Sequence, residues 1–140
     1  MIRPAVASDL DQAIKLLKSF AGASLVNYSE WTEQDIVGAR QRLAHMIVHH
    51  YLVVAEVDGE LVGMIGAWRE ADPWIRSRSR MSEMFWWVEP EYRKSRISAE
   101  LFIRWERDVK RWIEDNLVDQ VSLSTQPGSS DIDLSHRGWK

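Results

Sequence analysis

A chain of 140 residues that is 45% apolar and 28% charged has the length and composition of one globular domain, residues 1–140, with a single buried core, which excludes the disordered classes. Its net charge of −3 argues against a duplex-binding module, which needs a basic excess, so nucleic acid is disfavoured as a partner. With no cysteine there is no disulfide, no thiolate metal site and no cysteine nucleophile.

No apolar run reaches the length of a membrane span, and the opening MIRPAVASDLD lacks a signal peptide's apolar core. No membrane partner is expected and the cytoplasm is the expected location. Ile2 to Val6 reads as a short strand ended by Ala7-Ser8-Asp9, with Ser8 placed to cap the helix that follows. Leu10, Ala13, Ile14, Leu17 and Phe20 recur at helical spacing, and Gly22 stops that helix. Gly22 to Trp31 is expected to be a loop carrying Tyr28. Thr32 with Glu33 to Asp35 starts a second helix, whose buried stripe is Ile36, Leu43, Met46 and Ile47 and whose close is near His50. His45 and His49 stand four apart on that helix, but no third ligand or activating glutamate is near, so no metal is expected.

Tyr51 to Val57 and Glu60 to Trp68 are apolar strands, and Asp58-Gly59 between them signals a two-residue hairpin. Arg76, Arg78 and Arg80 alternate in the loop that follows, a run that reads as solvent-facing unless the fold sets it beside the acceptor, where it would meet an acidic substrate or a nucleic-acid backbone. Alternation over Met81 to Val88 puts Glu83, Phe85 and Trp87 on one face of a fourth strand, and Met84, Trp86 and Val88 on the other. A helix from Ser98 to Asn116 buries Leu101, Trp105, Val109, Trp112 and Ile113. Val121 to Thr125 is a last strand, Gln126 to Ser130 a loop, and Asp131 to Arg137 at most two turns of helix.

The stretch from Met81 to Glu100 carries most of the functional information. A strand there runs through a Pro90 turn into a helix start crowded by Arg93, Lys94 and Arg96. The first turn of a helix leaves backbone N–H groups unpaired and carries partial positive charge, so a phosphate can sit on it. Val88, Pro90, Tyr92 and Arg93, followed by Arg96 and Ser98, resemble the central motif of the GCN5-related N-acetyltransferase (GNAT) family: a strand ending in Val-x-Pro-x-Tyr-Arg, a loop with two small residues, and a long helix. VVAEVDGELVGMIGA is similar to that family's second and third strands, and the order βααβββαβα is the family's order.

The resemblance implies an α+β fold, three-layered, with a mixed and mostly antiparallel sheet flanked by helices. It also implies acetyl-coenzyme A as the cofactor, with the pantetheine arm along Trp86, Trp87 and Val88 and the pyrophosphate over Arg93, Lys94, Ser95, Arg96, Ile97 and Ser98. The partner is then an amine acceptor, on a small molecule or a protein. An amine attacks a thioester only as the free base, so a base must remove its proton. Glu83 matches the position where many family members carry a catalytic glutamate. A backbone N–H near Trp87 or Val88 would serve the oxyanion.

Three positions depart from the family pattern. Arg96 stands where the loop has a glycine, and its side chain either blocks the site or turns outward and holds phosphate itself. Leu134 stands where a tyrosine often protonates the thiolate, and His136 beside it reads as a surface histidine first and as a substitute acid second. The sequence stops at Lys140, where the family continues into a final strand, and a bare sheet edge suggests a homodimer. The expected function is therefore acetyl transfer to an amine by direct attack. The alternative is a catalytically silent GNAT-fold binding or structural module.

Overall fold

The computed structural model describes residues 1–23, 30–123 and 135–139. The expected loop positions around Tyr28, the Gln126 to Ser130 loop and Leu134 lie outside them. Five strands form one sheet in the order β1 (Ile2–Pro4), β2 (Tyr51–Val57), β3 (Glu60–Ala71), β4 (Ser79–Val88) and β5 (Gln120–Ser122). The first four run antiparallel to their neighbours, and β5 lies parallel to β4. Helices α1 (Leu10–Ala23) and α2 (Glu33–His49) pack with one face and α3 (Ile97–Glu114) with the other. The mixed, mostly antiparallel three-layer fold expected from the sequence is the fold observed.

Both faces of the sheet are covered, which is why β2 and β3 read as nearly continuous apolar runs. Val53, Ala55, Val62 and Ile65 join Leu101, Trp105 and Val109 of α3 in one core. Leu52, Val54, Leu61 and Met64 join Leu10, Ile14, Leu43 and Met46 of α1 and α2 in the other. The β2–β3 turn has Asp58 at φ 51° and Gly59 at φ 82°, the pair of left-handed conformations that a two-residue hairpin demands. Thr32 caps α2 as expected, its Oγ1 accepting from the Asp35 N–H at 3.2 Å while Asp35 Oδ2 accepts from the Thr32 N–H at 2.8 Å.

Ser8 does not cap α1. It lies within a 3-10 turn, Ala7–Asp9, and the carboxylate of Asp9 takes the Val6 N–H at 2.8 Å. Arg3 clamps that carboxylate with bonds of 2.7 and 2.9 Å and reaches Glu56 at 2.9 Å, so a charge-assisted network fixes the entry to α1 where a neutral serine hydroxyl would have been weaker. The Arg3 guanidinium holds Asp9 below the usual carboxylate range. The β3–β4 hairpin is longer than expected. Arg80 belongs to the strand, its Nε bonded to Glu70 Oε1 at 2.9 Å, so of the arginine run only Arg76 and Arg78 stay in the loop. Ile113, expected on the buried side of α3, is 43% exposed, because Trp112 takes the last ring contact with the core, on Tyr51.

Candidate active site

The site is built on an irregularity in β4. In the β3–β4 register Gly66 faces Phe85 and Ala67 faces Glu83, so Met84 is an extra residue, a β-bulge. The bulge overturns the strict alternation read from the sequence. Residues opposite each other in a ladder share a face, so Glu83 lies with Ala67 on the α3 side, while Phe85 and Trp87 belong to the α1–α2 core. Met81, Trp86 and Val88 also lie on the α3 side. One inserted residue thus lets Glu83 and Trp86 share a face although they are three apart. Met84 itself is 52% exposed and Glu83 only 9%. Gly66 makes room for this packing, since a Cβ there would stand 2.3 Å from Phe85 Cζ.

The second feature is a sheet that parts. β5 pairs with Arg80, Met81 and Ser82 only. The described pairing of β4 with β5 ends at Ser82. From Phe85 to Val88, among the described residues, β4 has a ladder partner on the β3 edge alone, and the backbone N–H and C=O groups of its other edge are groups that need hydrogen-bond partners.

The third feature is the turn that joins β4 to α3. A 3-10 turn, Pro90–Tyr92, follows the strand. Arg93 Nε donates to the Val88 carbonyl at 2.9 Å and its guanidinium lies 4.4 Å from the centre of the Trp87 ring, so Arg93 staples the turn to the strand. Ser95 receives the Ile97 N–H on its Oγ at 3.3 Å. The helical ladder begins with the Glu100 N–H to the Arg96 carbonyl at 2.9 Å, which leaves the N–H groups of Ser98 and Ala99 without a partner inside the helix. Lys94 is exposed. Arg96 has φ −69° and ψ −13°, a conformation that any residue adopts, and its side chain is 93% exposed, 3.8 Å from Glu100. Of the two alternatives at this position, the side chain turns outward.

Trp86 stacks on Phe102 of α3 with ring centres 5.2 Å apart. Trp87, on the other face, meets Phe20 edge-on at 6.2 Å, and its buried Nε1 has no hydrogen-bond partner. A clamp beside Phe102 was not foreseen. Glu106, 6% exposed, accepts from Arg137 Nε at 2.9 Å and from Trp139 Nε1 at 3.1 Å. The Arg137 guanidinium holds this carboxyl at about 2. The clamp pins a 3-10 turn, Ser135–Arg137, to α3 and brings Trp139 within 6.2 Å of Phe102. A charged residue inside the apolar stripe Leu101, Phe102, Trp105, Val109 was the available signal, since a buried carboxylate requires a cation. The side chain of His136 lies outside the described residues.

The three neighbouring histidines do converge, with rings of His45 4.6 Å from His49 and 5.0 Å from His50. His50 is nevertheless occupied, its Nδ1 accepting the Arg69 N–H at 3.0 Å and its ring stacked on Trp68 at 3.8 Å. Among the described residues no group of three histidine or carboxylate side chains is arranged to hold a metal, and no helix is long and apolar enough to cross a membrane.

The family model for the acetyltransferase (GNAT) family matches residues 10–127, and the chain belongs to that family. Among curated proteins none matches it in sequence. A predicted acetyltransferase with acetyl-CoA from Clostridium acetobutylicum superposes with a TM-score of 0.72 at 12% identity, covering 100% of this chain and 89% of that one. A transcriptional regulator from Bacillus halodurans C-125 gives 0.69 at 21% identity, covering 100% and 92%. A possible acetyltransferase from Clostridium difficile 630 gives 0.67 at 19% identity, covering 99% and 87%. At these identities the likeness is one of fold.

Proposed function

We propose that the protein is an N-acyltransferase that moves an acetyl group from acetyl-CoA to an amine by direct attack. The observation that carries the reading is the stretch Phe85 to Val88 of β4, which among the described residues has a strand on one edge alone and leads to the open first turn of α3. The residues fit the cofactor. Backbone groups of Trp86, Trp87 and Val88 lie on the unpaired stretch and suit a pantetheine arm with its amides. The N–H groups of Ser98 and Ala99, with Lys94 and the Arg96 backbone beside them, suit a pyrophosphate. Arg93 shapes that turn through Val88 and Trp87, and Ser95 and Ile97 complete its cap.

Acetyl-CoA supplies an activated thioester when bound. The chain's own part is to deprotonate the amine, hold it in line and shield the developing charge. Glu83, largely buried at the point where the strands part, is placed to take the proton through water, and a backbone N–H of Trp87 or Val88 is the donor for the oxyanion. The aromatic wall of Trp86, Phe102 and Trp139 keeps one side of the gap dry.

Calorimetric titration with acetyl-CoA tests the cofactor half of this reading. Micromolar binding, reduced about tenfold or more in a Lys94→Ala variant, is the expected result. Glu83→Gln then should keep that binding and lower the transfer rate by roughly 10²-fold or more. Binding with no transfer to any amine would make the chain a coenzyme A-binding module, and no binding by a folded protein would overturn the proposal.

A further inference from the structure

At the opposite end of β4 from the coenzyme A turn lies an open pocket of about 640 Å³ lined by Arg69, Arg76, Arg78, His49, Ser77 and Asn116, among others. Two carboxylates also line it, and both are engaged. Glu70 is paired with Arg80 at 2.8 Å, and Asp119 Oδ2 accepts the Ser79 N–H at 2.8 Å. Among the described residues Arg69, Arg76 and Arg78 form no ion pair. A chain of net charge −3 therefore gathers three guanidiniums in one concavity against the carboxylate of Asp119, which keeps its charge while accepting a neutral N–H, and that of Asp72, which Arg78 faces across the loop, and the balance of the fields is positive.

The loop that carries two of them is fixed in shape. Asp72 Oδ1 accepts the N–H groups of Trp74 and Ile75 at 2.8 and 2.9 Å. The Asp72 N–H donates to the Arg78 carbonyl at 2.8 Å, and the Arg78 N–H to the Ile75 carbonyl at 2.9 Å. The backbone of Arg76 and Arg78 is thus positioned before any ligand arrives, which lowers the ordering cost of binding. Ser79, on the pocket wall, is four residues from Glu83 along one strand, about 13 Å. In the proposed enzyme the cofactor fills the Val88 end of β4, which leaves the Ser79 end as the side for the acceptor.

We infer that this pocket binds an oxyanion, carboxylate or phosphate, borne by the acceptor roughly a strand's half-length from the amine that is acetylated. The inference rests on the acetyltransferase reading, and it assigns the acceptor's class: an amine that also carries a distal acidic group. Arg76 and Arg78 hold the anion by charge-assisted hydrogen bonds, and Arg69 sets the field behind them.

The test has two arms on the full chain. In the first, the coenzyme A-saturated protein is titrated with inorganic phosphate and, separately, with acetate while arginine side-chain N–H resonances are followed. The expected result is saturable shifts at Arg69, Arg76 and Arg78, with the tighter of the two ions naming the acidic group. Shifts no larger than those of Arg40 or Arg107, exposed arginines elsewhere, would overturn the site.

In the second arm, acetylation is compared on lysine peptides bearing either aspartate, glutamate or phosphoserine at varied spacing, or their neutral counterparts. A preference of about tenfold in kcat/KM for the acidic set is expected, one charge-assisted bond being worth that much. It should collapse in an Arg76→Ala, Arg78→Ala variant and persist in Lys18→Ala, with melting curves confirming that both fold. Transfer without charge preference overturns the inference and leaves the enzyme reading standing. Anion binding without transfer to any peptide or amine overturns the assignment of this site to an acceptor through failure of the enzyme reading itself.

Discussion

The two halves of β4 have a similar apolar texture and different surroundings. Ser79 to Ser82 is bonded to β3 on one edge and to β5 on the other, and it buries Met81 completely. Phe85 to Val88 follows a bulge, has among the described residues a strand on one edge only, and holds Trp86 and Trp87 half-buried on opposite faces. The first half is a structural strand and the second is a strand whose backbone is left available. The bulge at Met84 is the boundary between them. It re-aims every residue on one side of it relative to the other, so the carboxylate of Glu83 and the ring of Trp86 share a face.

The buried side chain of the first half should show the largest effect. Met81 is fully buried beside α3, so Met81→Ala should cost about 2–5 kcal/mol. Met84, the extra residue of the bulge, is 52% exposed, so Met84→Ala should cost about 0.5 kcal/mol or less. Urea unfolding of the two variants measures the difference. Equal losses would mean that the bulge residue is packed as tightly as the strand that it interrupts.

Next in size are two glycines with opposite expected signs. At Gly66 a Cβ meets Phe85 Cε2 at 2.6 Å and Met46 Cε at 2.8 Å as well as Phe85 Cζ, so Gly66→Ala should cost about 1–3 kcal/mol by overpacking. Gly38, within α2, has nothing within 4 Å of such an atom, and Gly38→Ala should stabilise by about 0.5–1 kcal/mol. Equal shifts at the two sites would remove the claim that the packing of β3 against the bulge is tight.

The clamp on Glu106 tests the wall on the α3 side of the same half-strand. Its folded carboxyl titrates at about 2 against an ordinary value of 4.5. A group whose value is depressed by folding contributes stability that is fully present above the unfolded value and is lost as pH falls through the folded one. Arg137→Ala should therefore lower the melting temperature at neutral pH, and the gap from the parent should close between pH 4.5 and 2. Because the Arg137 side chain is 36% exposed, water screens the pair, and the loss should be smaller than that from Gly66→Ala. A gap constant across that range would show that the contact acts by packing, through Trp139 on Phe102.

The element order, the Asp58-Gly59 turn and the Thr32 cap were legible because each depends on residues close together in the chain. The open first turn of α3 was legible for the same reason, being a matter of helix geometry. The bulge was not, since it is a property of the pairing between Gly66-Ala67 and residues Glu83 to Phe85, and nothing in MSEMFWWV marks which residue is extra. Arg93 read as a phosphate ligand, and the bond from its Nε to Val88 five residues back was not legible beside that reading, because it depends on the turn at Pro90. The pairing of Glu106 with Arg137 spans 31 residues, and the enclosing arrangement of Arg69, Arg76 and Arg78 needs the β3–β4 hairpin to exist. Local chemistry was readable, and the long-range contacts that aim it were not.

Arg96 is where local and long-range readings can be separated most finely. In the sequence it replaces a glycine, which suggests a phosphate loop that is closed or rebuilt around a guanidinium. In the structure its backbone is an ordinary right-handed helical conformation, its side chain is 93% exposed, and Glu100 is its nearest charge at 3.8 Å. If the phosphate is held by the backbone of the first turn, Arg96→Gly should change acetyl-CoA affinity by less than about threefold, which is within the scale of an exposed ion pair. If the guanidinium swings in to hold the phosphate, the same substitution removes a charge-assisted bond and costs about tenfold or more. Calorimetry on this one variant decides between a turn that works through its N–H groups and one that works through its side chain, and the exposed, outward geometry favours the smaller change.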